Sequence, residues 1–245
     1  MCTVTFIPVK DRIYITSNRD EKFIRKQAIP PELYFVNGNR IIYPRDADAG
    51  GTWIAMNENG CAAVLLNGAF QKHTSMAPYR KSRGIIFLEI INAIMPVRYF
   101  THMALSGIEP FTMIIFDNCL YECRWTGSTK HCRQLKKYRP YIWSSSTLYD
   151  EKVVKKREQW FAAFLNKNPL PAQDDIFAFH KFTGDGDTQN DLNMNRNGLL
   201  STVSVTGIAM EFLRCNMRYL DLKDRSIHNK EMKLVSSIRE TADIF

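Results

Sequence analysis

Two short runs rich in β-branched and aromatic residues, positions 2–7 and 12–17, open the chain and predict a pair of antiparallel strands. Pro8-Val9-Lys10-Asp11 separates them, with Pro and Asp supplying turn chemistry. Pairing Ile7 with Arg12 places Cys2 opposite Ser17, and Asn18, Arg19 and Asp20 follow where the strand ends, close to Cys2. Further strands fit 40–43, 52–56 and 61–66, the last two joined by the turn Asn57-Glu58-Asn59-Gly60. Ser82 can cap a helix from Arg83 to about Ile94, with Ile85, Ile86, Leu88 and Ile91 at helical spacings and Pro96 ending it. Strands over 113–116 and 120–125 follow, joined at Asp117-Asn118.

Asp150 can cap a second helix to about Leu165, whose apolar stripe is Val153, Val154, Trp160, Phe161 and Phe164. After Pro169-Leu170-Pro171 a third helix runs over 172–182, and strands over 201–208 and 213–222 close the pattern. No repeat or low-complexity linker interrupts it, so residues 1–245 read as one domain. Helices clustered between groups of antiparallel strands predict a layered α+β sandwich.

Composition narrows the class. The 245 residues are 45% hydrophobic and 24% charged, a globular balance that excludes wholesale disorder. No apolar run approaches the length of a membrane span. No basic n-region followed by an apolar stretch is visible at the start, so the expected location is cytoplasmic. The net charge is +8, with basic runs over 130–139 and 152–157, the second on one face of the predicted helix. Neither forms the dense stripe interleaved with aromatics that marks a nucleic-acid surface, so they read as solvated faces.

The six cysteines are too dispersed for a disulfide framework. Cys119 and Cys123, with His131 and Cys132 beyond, lack the tight paired spacing of a zinc site and read as buried structural cysteines on one strand face. Gly184-Asp185-Gly186-Asp187 with Asp191 lacks the spacing and terminal Glu of a calcium loop and reads as a turn-rich loop. His73 and His180 read as structural or surface histidines. No metal or cofactor is expected.

Candidate chemistry gathers at the start. A cysteine directly behind Met1 becomes the N-terminal residue when the methionine is trimmed. It then carries both a thiol nucleophile and a free α-amine able to act as its base. Asn, Arg and Asp are the residue types needed to orient that amine and to stabilise an oxyanion.

Met1-Cys2, Asn18-Arg19-Asp20-Glu21, Ala49-Gly50-Gly51-Thr52-Trp53-Ile54-Ala55 and Leu65-Leu66-Asn67-Gly68, in this order, resemble the NRDE family, also called the transport-and-Golgi-organisation protein 2 family. The resemblance is tight over roughly the first seventy residues and looser beyond. It implies a four-layer α-β-β-α sandwich of the N-terminal nucleophile (Ntn) hydrolase type, near the cysteine amidases that cleave penicillin V and conjugated bile acids. It further implies a hydrolase acting on a non-peptide C–N bond of a small amide or acyl ligand. Cys2 would be the nucleophile, Asp20 would hold its amine, Arg19 would shape the pocket, and Asn67 would donate to the oxyanion. Asn18, Glu21 and Ser145 are the candidate substrate-binding residues. The chain departs from the pattern at two places. Ser144-Ser145-Ser146 stands where many members carry an Asn, and Leu199-Leu200 precedes Ser201-Thr202 where relatives place an Arg, with Arg196 a little earlier. The alternative is a non-catalytic carrier of haem, acyl-CoA or lipid in the same fold.

Overall fold

The computed structural model describes residues 2–75 and 78–235, and Cys2 by its backbone alone. The strands are β1 (Cys2–Val9), β2 (Arg12–Lys22), β3 (Ile29–Val36), β4 (Asn39–Arg45), β5 (Ile54–Asn57), β6 (Ala62–Asn67), β7 (Phe111–Asp117), β8 (Cys119–Trp125), β9 (Lys130–Leu135), β10 (Tyr141–Ser144), β11 (Asn195–Arg196), β12 (Leu200–Glu211), β13 (Arg214–Asp221) and β14 (Ile227–Lys233). The helices are α1 (Arg83–Ile91), α2 (Pro96–His102), α3 (Glu151–Lys167) and α4 (Gln173–Phe182).

One antiparallel sheet runs β10-β1-β2-β12-β13-β14, with β11 beside β12, and the other runs β3 to β9 in chain order. Alternation along the strands explains how they stack. In β1, Val4 and Phe6 enter the main core with Ile13 and Ile15 of β2, whereas Ile7 and Tyr14 point the other way. The main core fills the space between the sheets, where Phe6 meets Phe116 of β7. Helices α3 and α4 cover the outer face of the first sheet, packing Phe161, Ile176 and Phe179 against Ile7 and Tyr14. Helices α1 and α2 cover the second sheet. The result is a four-layer α-β-β-α sandwich. Each of these buried apolar side chains contributes about 1.5–3 kcal/mol relative to exposure.

The first hairpin differs in register from the sequence expectation. Its turn is only Lys10-Asp11, with Lys10 at φ 53°, so Pro8 and Val9 extend β1 and Cys2 pairs with Arg19, not Ser17. Pro8 is tolerated because β10 pairs with β1 only over Thr3 to Phe6, leaving no partner for the missing donor. A shift of two residues keeps every side chain on its expected face. Nor does β2 end at Ser17. It runs to Lys22 because β12 pairs along that stretch, from Glu211↔Arg12 to Leu200↔Lys22.

Ser82 and Asp150 cap α1 and α3 as expected, each accepting from the backbone N–H three residues on. Helix α1 stops at Ile91 and buries Ile86, Phe87, Ile90 and Ile91, leaving Ile85 and Leu88 only partly covered. Pro96 opens the short helix α2 at its first position, where a missing N–H costs nothing. The strands absent from the sequence pattern, apart from the two-residue β11, are β3, β9, β10 and β14. All four are sheet edges. Prolines and charges in β3 and β9, as in Ile29-Pro30-Pro31 and Lys130-His131-Cys132-Arg133, weaken their hydrophobic signature.

Gly51 marks where α1 meets the second sheet. A Cβ there would lie 2.5 Å from the Gly84 carbonyl carbon and 2.7 Å from the Ile85 nitrogen. Both are rigid backbone at the start of α1. Gly51→Ala should therefore lower stability by about 1–3 kcal/mol, read as a shift in urea midpoint at constant slope. An unchanged midpoint would show that α1 yields at no cost.

Candidate active site

Because β2 is paired on both sides, the sequence Asn18-Arg19-Asp20 splits between two environments. Asn18 and Asp20 face the helices, and Arg19 lies between the sheets. All three are buried. Arg19 stacks its guanidinium on Trp53, 4.5 Å from the ring centroid, and donates Nη2 to Asp46 Oδ2 at 2.6 Å. Asp46 also accepts from Arg25 at 3.2 Å and from the backbone N–H groups of Asp48 and Ala49. Burial alone would raise the Asp46 carboxyl, but these hydrogen bonds and the two arginines hold it below the usual carboxylate value. The loop from Asp46 closes through Gly50 at φ +71°, so the glycine motif orders the carboxylate that clamps Arg19.

Asp20 accepts from Tyr149 Oη and from Thr202 Oγ1, both at 2.7 Å. Burial pushes its carboxyl above the ordinary value, opposed by the positive charge of Arg157 and by these two donors. Burial and the Asp20 charge in turn push the Tyr149 phenol well up, which keeps it a donor. Two lone-pair sites on Asp20 remain for a further donor.

Arg157 is the unexpected member. The sequence places it in a solvated basic run, yet its exposure is 0%. Its guanidinium lies 3.6 Å from the Tyr149 ring centroid and donates to the carbonyls of Asn190 and Asp191 and to Thr3 Oγ1. A signal was present, since position 157 falls four residues after Val153 and four before Phe161, on the apolar stripe itself. A guanidinium buried there needs a full set of acceptors.

His180 is buried beside it. Its Nδ1 meets Asn18 Oδ1 at 2.5 Å and its Nε2 meets Thr5 Oγ1 at 2.8 Å. Asn18 Nδ2 donates to the carbonyls of His180 and Leu192, so its oxygen must accept from Nδ1–H, and Nε2 then accepts from Thr5. Burial, with the nearby Arg157 charge, lowers its pKa to about 3. His180 is a neutral structural histidine, and Asn18 is the side chain that orders it.

Glu21 lies 3.7 Å from Arg19 and 3.8 Å from Arg25. It shares with Asn67, Lys72, His73 and Thr147 the lining of an open cleft of about 530 Å³. Ser145 is fully buried, and its hydroxyl donates to the Asn67 carbonyl at 2.8 Å and lies 2.9 Å from Thr147 Oγ1. It ties the end of β10 to the end of β6. Arg196, across from Leu200 in the β11–β12 pair, donates to the Leu148 carbonyl at 3.0 Å and approaches the Tyr149 ring. A second cleft of about 1060 Å³ adjoins, lined by Tyr141, Trp143, Tyr149, Arg124 and Arg196, and it shares Lys72 and Thr147 with the first. The structure thus gathers Asn18, Arg19, Asp20 and Glu21 around the start of β1, with Asn67 and Ser145 at the adjoining strand ends. Of Cys2 it describes the place across from Arg19; the state of Met1 lies outside the described residues. Among the described residues no cluster of His, Cys, Asp and Glu could hold a metal ion, and no helix is long and apolar enough to cross a membrane.

Two stacked antiparallel sheets between helical layers form the fold of the Ntn hydrolases. Solved structures of that fold superpose over nearly the whole chain. Penicillin V acylase from Agrobacterium tumefaciens matches with a TM-score of 0.59 at 11% identity, covering 95% of this chain and 86% of that one. The C2A mutant of conjugated bile acid hydrolase from Clostridium perfringens matches with a TM-score of 0.60 at 13% identity, covering 95% and 92%. A Caenorhabditis elegans ortholog of N-acylethanolamine-hydrolyzing acid amidase matches with a TM-score of 0.55 at 12% identity, covering 84% and 92%. No curated protein sequence matches significantly. Residues 1–210 match the model of the transport and Golgi organisation 2 family, and the chain belongs to that family.

Two measurements check the buried network. Arg157→Met removes the donors to two carbonyls and Thr3 and the charge beside Asp20, and should cost about 3 kcal/mol in urea unfolding. His180, depressed to about 3 from 6.5, contributes stability that is complete above pH 6.5 and is lost as pH falls toward 3. The loss should be about 1.4 kcal/mol per pH unit. His180→Gln should lack that slope; parallel curves for the two proteins would mean that folded His180 takes up a proton.

Proposed function

We propose that this chain is an Ntn cysteine hydrolase acting on a non-peptide C–N bond, that of an N-acyl amide. The observation that carries the reading is the buried Asp20, fixed by Tyr149 and Thr202, next in sequence to the residue that pairs with Cys2. Similarity in fold to three amide-cleaving enzymes supports it.

In this reading removal of Met1 frees the α-amine of Cys2, and Asp20 orients it. The amine takes the thiol proton, and the sulfur attacks the acyl carbonyl. Asn67, at the cleft wall, donates its side-chain amide to the oxyanion; loss of one such donor costs roughly 3 kcal/mol of barrier. Collapse of the intermediate releases the amine, which takes its proton from the α-ammonium, and leaves a thioester. Water, deprotonated by the same α-amine, hydrolyses that thioester. Arg19, clamped by Asp46 and Trp53, shapes the pocket wall, and Glu21 faces the substrate. Asn18 and Ser145 act one step away, Asn18 by ordering His180 and Ser145 by holding the Asn67 backbone.

Intact mass and kinetics test this together. Met1 should be absent from the purified protein, and N-acylated amines should give a transient acyl adduct on Cys2. Cys2→Ser should slow turnover strongly and Cys2→Ala should abolish it, while Asp20→Asn should lower kcat more than KM. Retained Met1, or equal activity in wild type and Cys2→Ala, would sink the proposal.

One observation favours a second reading, a carrier of haem, acyl-CoA or lipid. The larger cleft is about 1060 Å³, ample for a sizeable ligand, and Tyr141 and Trp143 stack on its wall. Calorimetric titration distinguishes the two, because a carrier binds one of these ligands stoichiometrically whether or not Cys2 is replaced.

A further inference from the structure

Strands β8 and β9 bring two cysteines together far from Cys2 in the chain. Cys123 pairs directly with Cys132 across the ladder, and their sulfurs are 3.1 Å apart. The expectation of buried cysteines on β8 holds for Cys123 but not for Cys119, which is half-buried. Cys123 is buried, but Cys132 is exposed on the edge strand. Directly paired antiparallel residues have Cα atoms about 4.5–5.5 Å apart, within the range a disulfide spans. Bond formation needs the sulfurs to approach by roughly 1 Å, which side-chain rotation supplies.

We propose that Cys123 and Cys132 form an oxidisable dithiol site, which hydrogen peroxide converts to a cross-strand disulfide. The Cys132 thiolate attacks one peroxide oxygen, the O–O bond breaks, and hydroxide leaves with a Cys132 sulfenic acid remaining. Cys123 sulfur then attacks the Cys132 sulfur, the S–O bond breaks, and hydroxide takes the Cys123 proton to leave as water. Two electrons pass from the thiol pair to the peroxide.

The division of roles follows from the surroundings. Cys132 meets solvent and so meets the oxidant, whereas Cys123 is covered and can reach only its neighbour. The hydrogen bond from Cys123 lowers the Cys132 thiol below its ordinary value, and the same bond together with burial raises that of Cys123. Exposure and this bond assign the first step to Cys132 and the second to its covered neighbour Cys123. Cys119 sits on the same face of β8 but four residues away, roughly 13 Å, beyond bridging distance. Cys61 and Cys215 are buried with thiols pushed up, Cys215 to about 12, and take no part.

The test uses the full chain treated with hydrogen peroxide, quenched with a maleimide and mapped by mass without reduction. The expected product is one linked peptide pair joining Cys123 to Cys132, lighter by two hydrogens and restored by dithiothreitol. Cys132→Ser, an exposed and conservative change, should remove the link. Cys123→Ser should stop the reaction at a Cys132 sulfenic acid that dimedone captures. Linkage of Cys132 to any other cysteine, or Cys132 oxidised in the wild type to sulfinic acid with no link, would overturn the proposal. Chemistry at Cys2 is read separately in the same map, so failure here leaves the hydrolase reading untouched.

Discussion

Double pairing of β2 is the constraint on which the rest of the molecule depends. A strand hydrogen-bonded on both sides has no freedom to rotate, and its alternation assigns each successive side chain to one layer or the other. From that single fact Asn18 and Asp20 meet the helices and Arg19 meets the second sheet. Three consecutive polar residues thereby enter satisfied networks on opposite faces, Asn18 and Asp20 sharing one through the Leu192 carbonyl and Arg19 the other. The bulge in β12 at Val203 lets Thr202 face Asp20 and Ser204 face Arg19 on the two sides of it.

Such an arrangement demands buried partners, because an unpaired carboxylate or guanidinium in the interior costs several kcal/mol. The molecule meets the demand locally on each side. Asp46, set by its glycine loop, answers Arg19, and Tyr149, Thr202 and the charge of Arg157 answer Asp20. Arg157 in turn relies on carbonyls of the loop between α4 and β11. That loop, acidic and turn-rich in sequence, serves through its backbone carbonyls. Strand β2, which faces Cys2, is thereby fixed on both sides, and the proposed first-residue nucleophile requires such a scaffold.

At the opposite edge of the second sheet the physics differs. Strand β9 is exposed, polar and paired on one side only, so it tolerates a thiol at the surface directly across from a buried one. Cys123 of β8 and Cys215 of β13 are buried in central strands, whereas edge position leaves Cys132 open to solvent.

Much of the fold was legible in the residues. Periodicity located the long helices, Ser82 and Asp150 marked their starts, and β-branched runs located the strands that lie inside the sheets. Edge strands escaped because their burial is partial, and partial burial imposes only a weak alternation on them. The neighbourhood of Cys2 was legible too, since a hairpin constrains it whatever the turn length, and a shift of two residues preserves the faces. What only the tertiary structure decided were partners brought from afar in sequence. Tyr149, Arg157, His180 and Thr202 converge on a strand more than a hundred residues away. A buried arginine inside a basic run has the same letters as a solvated one. Its distinction lies in the carbonyls that surround it, and those are positioned by the packing of helix on sheet, which no local pattern encodes.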